Sequence, residues 1–182
     1  RMLSGDTVRD PSHLVRFVLL TFADLKRHTF LYWFGFPSIA PKGGQTFEQI
    51  GPVRSFVDVC ADSSERQDIA RRIEKMGSPT CFVLRLRGTG GYEVLPLEAL
   101  DRVVSERTED GDAAEKLIVG CIDPSANRSH PGWCVRNLLI LLAVRWRMTS
   151  ATVLCFRDLP ASRISTDPSV KGRSIVFEIR IP

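Results

Sequence analysis

The segment "SHPGWCVRN", Ser129 to Asn137, holds the residue types best suited to bond making in this chain. Cys134 is expected in the first turn of a helix, where the helix dipole favours a thiolate, and His130, four residues earlier, is placed to act as a base. An autonomous thiol enzyme using Cys134 and His130 is therefore one reading. Against it, no acid is evident that would orient His130, and Trp133, Val135 and Leu138 surround the cysteine with apolar packing.

Other chemistries find less support. The five cysteines, Cys60, Cys81, Cys121, Cys134 and Cys155, are odd in number and lack a C-x-x-C pair, which suits reduced thiols in a cytoplasmic protein. His13, His28 and His130 share no ligand spacing with them, so no metal is expected. The acids Asp110 and Asp112 sit in a solvated loop rather than a catalytic pair. The glycines of "RGTGG" lead into the β-favouring "YEVL", and "PKGG" has its lysine before the glycines. Neither is a phosphate-cradling loop, and no cofactor is expected in this chain. A net charge of +4 and a pI of 9.0, carried mostly by arginine, admit an acidic partner. A basic nucleic-acid-binding domain is a third reading, resting on charge alone.

The elements that would position these residues follow from the apolar pattern. Val15 to Phe22 and Thr29 to Pro37 read as a hairpin around the polar turn Ala23 to His28. Its second strand has five aromatics within the seven positions Phe30 to Phe36 and is apolar on both faces, which predicts the centre of a two-sided core. Ala40 to Pro52 is a Pro/Gly-rich connection. Ser64 and Gln67 form a capping box for a helix with the stripe Ile69, Ile73 and Met76, closed by Gly77. Cys81 to Arg87 and Tyr92 to Leu95 read as a second hairpin. Pro96 opens a helix carrying Leu97, Leu100 and Val104, and "SERTEDGDAAE" is a polar loop.

The strongest pattern lies in the last third. A strand (Leu117 to Ile122), an apolar helix (Trp133 to Trp146) and a strand (Ala151 to Phe156) predict a right-handed parallel crossover, and Ser174 to Ile181 alternates as a final strand. The fold class is α+β (mixed α/β): a mixed sheet with antiparallel hairpins and one βαβ crossover, packed by helices. The longest apolar run, Leu138 to Val144, falls well short of the roughly 20 residues a membrane span needs. The polar opening "RMLSGDTVRD" is no signal peptide, and with Met second the chain reads as a piece of something longer. The loop Asp123 to Gly132, at the carboxyl end of the first crossover strand, is either a ligand crevice or a plain connector. Arg136, a cation in a first helical turn, is expected to pair with Asp123 across it.

The crossover segment "CIDPSANRSHPGWCVRNLLILLAVRW" is similar to the "DP...PGWPLRN" segment of the N-terminal domain of the autophagy activating enzymes, noncanonical relatives of the ubiquitin-activating enzymes. "LLTFADLKRHTFLYWFGFP" resembles that family's "LLTFADLKKY.FYYWF.YP" block, and "GPV", "VLCFRD" and "SIVFEIRIP" follow in the same order. The likeness is dense from Leu14 to Pro37 and from Val119 to Pro182, and thin between Ala40 and Glu115. It marks Asp123, Pro131, Gly132, Trp133, Arg136 and Asn137 as a structural motif. Cys134 and Val135 stand where the family reads Pro and Leu, which weakens the thiol reading.

The resemblance implies that residues 1–182 are the latter part of a recruiting domain that binds autophagy conjugating enzymes. Catalysis, ATP binding and the ubiquitin-like modifier belong to a separate adenylation domain of the parent, absent here. Nucleic acid is not an expected partner. Recruited segments in the family are flexible and acidic, which points to Arg128, His130, Arg145 and Arg147 around the crossover helix as docking positions. Lys26 and Arg27 at the hairpin turn come next.

Overall fold

Three short stretches, "CFVLRL", "LIVGCI" and "SATVLCF", carry apolar residues at successive positions, so as strands each needs cover on both faces. The computed structural model, which describes residues 5–39, 43, 46–88, 90–106, 117–167 and 172–182, supplies it. These stretches are β4 (Cys81–Leu86), β6 (Leu117–Ile122) and β7 (Ser150–Phe156). With β3 (Glu48–Ser55), β5 (Tyr92–Pro96) and β8 (Ile175–Arg180) they form a six-stranded sheet of order β3-β8-β7-β6-β4-β5. β6 and β7 pair in parallel, and the other neighbours pair antiparallel.

Helices cover both faces. α1 (Asp6–Arg9), α4 (Leu100–Glu106) and α5 (Val135–Trp146) lie on one side, where Leu138, Leu141 and Leu142 pack with Val83, Val119, Val153 and Phe177. α2 (Phe56–Val59) and α3 (Ser63–Lys75) lie on the other, where Ile69 and Ile73 meet Phe82, Leu84, Ile118, Leu154 and Phe156. The alternation along each strand divides the apolar residues between the two layers. At Gly120 a Cβ would come within 2.3 Å of the Phe82 ring, so that ring rests directly on the β6 backbone. The crossover helix α5 is apolar nearly all round because it is covered nearly all round. The mixed sheet, the β4/β5 hairpin and the single βαβ crossover match the sequence reading.

Three expectations fail. Residues 48–52, read as the end of a Pro/Gly-rich connection, belong to the edge strand β3, whose ladder to β8 is interrupted between Ile50 and Arg54. The aromatic hairpin, β1 (Val18–Asp24) and β2 (Thr29–Gly35), is a separate two-stranded sheet rather than the core. Phe22, Tyr32, Trp33 and Phe34 are all more than half exposed, at 56–61%. Both faces are apolar, as the sequence says, but among the described residues no second layer covers them. Its tip is closed by Asp24, whose Oδ1 accepts the Lys26 and Arg27 amides. The start of α3 also differs. Asp62, not Ser64, is the N-cap: its carboxylate accepts the Ser64 amide at 2.8 Å and the Ser64 hydroxyl, while Gln67 reaches the Ile164 carbonyl instead. The reciprocal capping box forms earlier, between Ser55 and Asp58 at α2. Most of "SERTEDGDAAE" lies outside the described residues. Among the described residues no helix is long and apolar enough to cross a membrane.

The contrast between the two aromatic sets is measurable. Phe22→Ser should change stability by less than about 1 kcal/mol, whereas Phe82→Ala empties a fully buried site and should cost about 3–5 kcal/mol. Urea denaturation of both variants checks the ordering, and equal losses would place the hairpin in the core after all.

Candidate functional site at the carboxyl ends of the parallel strands

Parallel pairing of β6 and β7 sets Ile122 opposite Phe156, so the next residues on each strand, Asp123 and Arg157, leave the sheet side by side. The Asp123 amide continues the ladder to the Phe156 carbonyl at 3.0 Å. Above it, Arg157 Nε and Nη2 donate to Asp123 Oδ2 at 3.0 and 2.6 Å. Both side chains are buried. A buried pair needs its remaining lone pairs and N–H groups satisfied, and here the loop supplies them. Asp123 accepts the Ser125 and Gly132 amides, each at 2.9 Å. Arg157 Nη1 donates to the Asn127 carbonyl, and Nη2 to that of His130 at 2.9 Å. Burial pushes the Asp123 carboxyl up, but the Ser125 amide, the Arg157 guanidinium and the Gly132 amide outweigh it and hold it below its usual range.

This pair explains much of the motif. A Cβ at Gly132 would stand 2.0 Å from Asp123 Oδ1, so only glycine lets the backbone approach the carboxylate. Pro131, half-buried, leads into that glycine. Trp133 stacks on Phe36 at 4.3 Å between ring centroids. Asn137, buried in the first turn of α5, donates from Nδ2 to the Leu14 and Pro37 carbonyls, each at 2.9 Å, and accepts the Ile39 amide at 3.1 Å. One side chain thus ties both ends of the hairpin segment to the crossover helix.

The expected Asp123–Arg136 pair is absent. Arg136 is exposed, and the carboxylate belongs to Arg157, 34 residues further on. Only strand register brings that arginine near, and the sequence signal for it was its place straight after the apolar run "VLCF". Arg145 is also engaged: it donates to Asp101 at 2.9 and 2.7 Å, lies over the Trp146 ring, and shares Asp101 with the Trp146 indole N–H. Arg147 is exposed in a left-handed C-cap with φ 51°. Arg128 is exposed and makes no hydrogen bond or ion pair among the described residues. The His130 ring is exposed while its carbonyl serves Arg157. Lys26 is exposed, and Arg27 lies 3.8 Å from Asp24. Arg128 and Arg147 flank opposite ends of α5, a helix about 18 Å long, so the structure does not bring them together.

Cys134 is the N-cap of α5 rather than a member of its first turn, and it is 2% exposed. Its Sγ sits 4.0 Å from Cys121 Sγ and 3.9 Å from Asp123 Oδ1. No hydrogen bond links it to His130. Elsewhere burial pushes the Cys60 thiol up to about 12 and the Cys81 thiol up as well. These thiols pack as small apolar groups. Among the described residues no group of three or more His, Cys, Asp or Glu is arranged to hold a metal.

All 182 residues match the family described as the ubiquitin-like modifier-activating enzyme ATG7 N-terminus. The chain belongs to that family. Among ATG7 relatives it is 32% identical to the chicken (Gallus gallus) protein over 188 residues, covering 98% of this chain and 24% of that protein. The human protein is 32% identical over 190 residues, covering 98% and 25%, and that of Emericella nidulans 30% over 188 residues, covering 98% and 27%. The chain thus spans about a quarter of the length of the curated ATG7 relatives it matches. In fold it is similar to the crystal structure of Kluyveromyces marxianus Atg7NTD, with a TM-score of 0.56 at 18% identity, over all of this chain and 54% of that one. It is also similar to Atg7NTD in the structure of the Atg7NTD-Atg10 complex, with a TM-score of 0.55 at 18% identity, over 98% and 53%.

If the pair organises this end of the ATG7 N-terminal fold, Arg157→Ala and Asp123→Asn should each cost about 3–5 kcal/mol. A double-mutant cycle should show coupling above about 1 kcal/mol, while Arg136→Ala stays within about 0.5 kcal/mol. Because the folded-state carboxyl is depressed, Asp123's contribution is complete above its unfolded value, about 4. It is lost as pH falls through the folded value. The stability gap between the parent chain and Asp123→Asn should therefore narrow in acid. A gap that widens there refutes the assignment.

Proposed function

We propose that this chain is a non-catalytic docking module that recruits autophagy conjugating enzymes to a ubiquitin-like-modifier activating enzyme. The observation that carries this reading is its likeness, over nearly its whole length, to a domain crystallised with Atg10. The local geometry supports it. The motif's Asp123, Gly132 and Asn137 point inward and bind the chain's own groups, which makes them architecture. What faces outward at this end is cationic: Arg128 and Arg147 are exposed at opposite ends of α5. In this reading adenylation, ATP and the modifier belong to the rest of a cytoplasmic parent, and no cofactor or nucleic acid is bound here. Cys134, buried beside a carboxylate, gives the thiol-enzyme reading no support.

The hairpin favours one addition. The solved domain is nearly twice as long as this chain, and we propose that the remainder of that domain covers the aromatic faces of β1 and β2. Phe34→Ser should then leave the 182-residue chain's melting temperature unchanged and lower that of the longer domain.

Calorimetry of the chain with the conjugating enzymes of its own organism tests recruitment. Saturable binding to at least one of them is expected, and none to any would overturn the proposal. Arg128→Glu and Arg147→Glu, measured separately because they lie apart, should include at least one variant weakened about tenfold, or about 1.4 kcal/mol. Its melting temperature should be nearly unchanged. If neither loses affinity, the two ends of α5 are not the docking surface.

A further inference from the structure

Two adjoining cavities, of about 290 and 380 Å³, open beyond the carboxyl ends of β6 and β7 and share Arg128, Phe156, Arg163 and Arg173 as lining. Arg66 completes the wall of one and Arg157 that of the other. Against these five arginines stand two aspartates, Asp123 and Asp158. Asp123 is taken up by Arg157. Asp158 accepts the Arg173 and Ser174 amides, each at 3.0 Å, and lies 3.7 Å from the Arg173 guanidinium.

Arg66, Arg128 and Arg163 have no carboxylate within 4 Å among the described residues. For two of them exposure makes this unremarkable: Arg128 and Arg163 reach solvent, and Arg163 makes one long bond, 3.4 Å, to the Leu159 carbonyl. Arg66 is different. It is only 6% exposed, its Nη1 donates to the Cys60 and Ala61 carbonyls at 2.6 Å, and it lines one of the two cavities. It feels the charge of Asp62 without a direct ion pair, and a guanidinium largely withdrawn from water is costly without one. Three unmatched guanidiniums thus converge on one crevice from three segments of the chain. A lone carboxylate would match one of them. A phosphoryl dianion, with three strong acceptor oxygens, offers one to each, and guanidinium is well suited to bind it bidentately.

We propose that this crevice is a phosphoryl-binding site, held by Arg66, Arg128 and Arg163 over a floor of Phe156. The site shares only Arg128 with the proposed docking positions; Arg66 and Arg163 lie outside them. It uses side-chain cations in place of the backbone loop of nucleotide-binding folds.

Titration of the full 182-residue chain with inorganic phosphate, with a phosphoserine peptide and with acetate tests it, read by calorimetry and by amide shifts of Gly172. Saturable phosphate binding is expected, weakening with ionic strength and at least about tenfold in Arg128→Ala/Arg163→Ala. Both residues are exposed, so that double variant should fold as the parent does. Tighter binding of the phosphopeptide than of phosphate would assign the ligand to a modified polypeptide, and equal binding would assign it to free phosphate. Either result upholds the site. Absence of saturable phosphate binding, undiminished binding in the double variant, or acetate binding as tight as phosphate would each overturn it. Phosphate binding weakened in Arg163→Ala, which lies outside the proposed docking positions, with conjugating-enzyme affinity intact separates this site from recruitment.

Discussion

A buried ion pair between two strand ends, Asp123 with Arg157, is the constraint on which the rest of this end of the molecule depends. Charges withdrawn from water are favourable only when every remaining donor and acceptor finds a partner. The chain meets that demand with its own backbone, folding the segment from Asp123 to Gly132 so that two amides reach the carboxylate and two carbonyls reach the guanidinium. The loop's shape is therefore a consequence of the pair. So is the entry into α5, because the Gly132 amide is fixed immediately before that helix.

From α5 the constraint passes outward to the hairpin. Asn137 in its first turn binds backbone groups of Leu14, Pro37 and Ile39, and Trp133 stacks on Phe36. The aromatic block is thus anchored at its base by the element that the ion pair positions, while its two faces stay open. The result is a rigid sheet with both faces covered and an aromatic ribbon held out from it on a fixed mount.

The layered sheet was legible because its evidence is local. Runs such as "LIVGCI" and "VLCF" announce strands covered on both faces, and "RNLLILLAVRW" a covered helix, so the βαβ crossover follows from order alone. The ion pair was not legible in the same way. Its partners are 34 residues apart and meet only through the β6–β7 register, and Arg136, nearer in sequence, was the wrong choice. The hairpin failed for a different reason. A strand apolar on both faces shows that cover is needed without saying which residues provide it. At α3 two polar residues competed for one cap, and Asp62 prevailed over Ser64, whose hydroxyl became Asp62's own partner. Of the motif, Asp123, Gly132 and Asn137 turn inward while Arg136 is exposed, a division set by strand register and not by sequence order.

Hydrogen exchange at the Gly132 amide tests the central claim most directly, because that N–H donates to a buried carboxylate inside what is otherwise an exposed loop. If the Asp123–Arg157 pair holds the loop, Gly132 exchanges as slowly as the amides of β6 in the parent chain and reverts to loop-like rates in Arg157→Lys. Fast exchange at Gly132 in the parent, or protection that survives the loss of the guanidinium, would show that the pair does not organise this part of the fold.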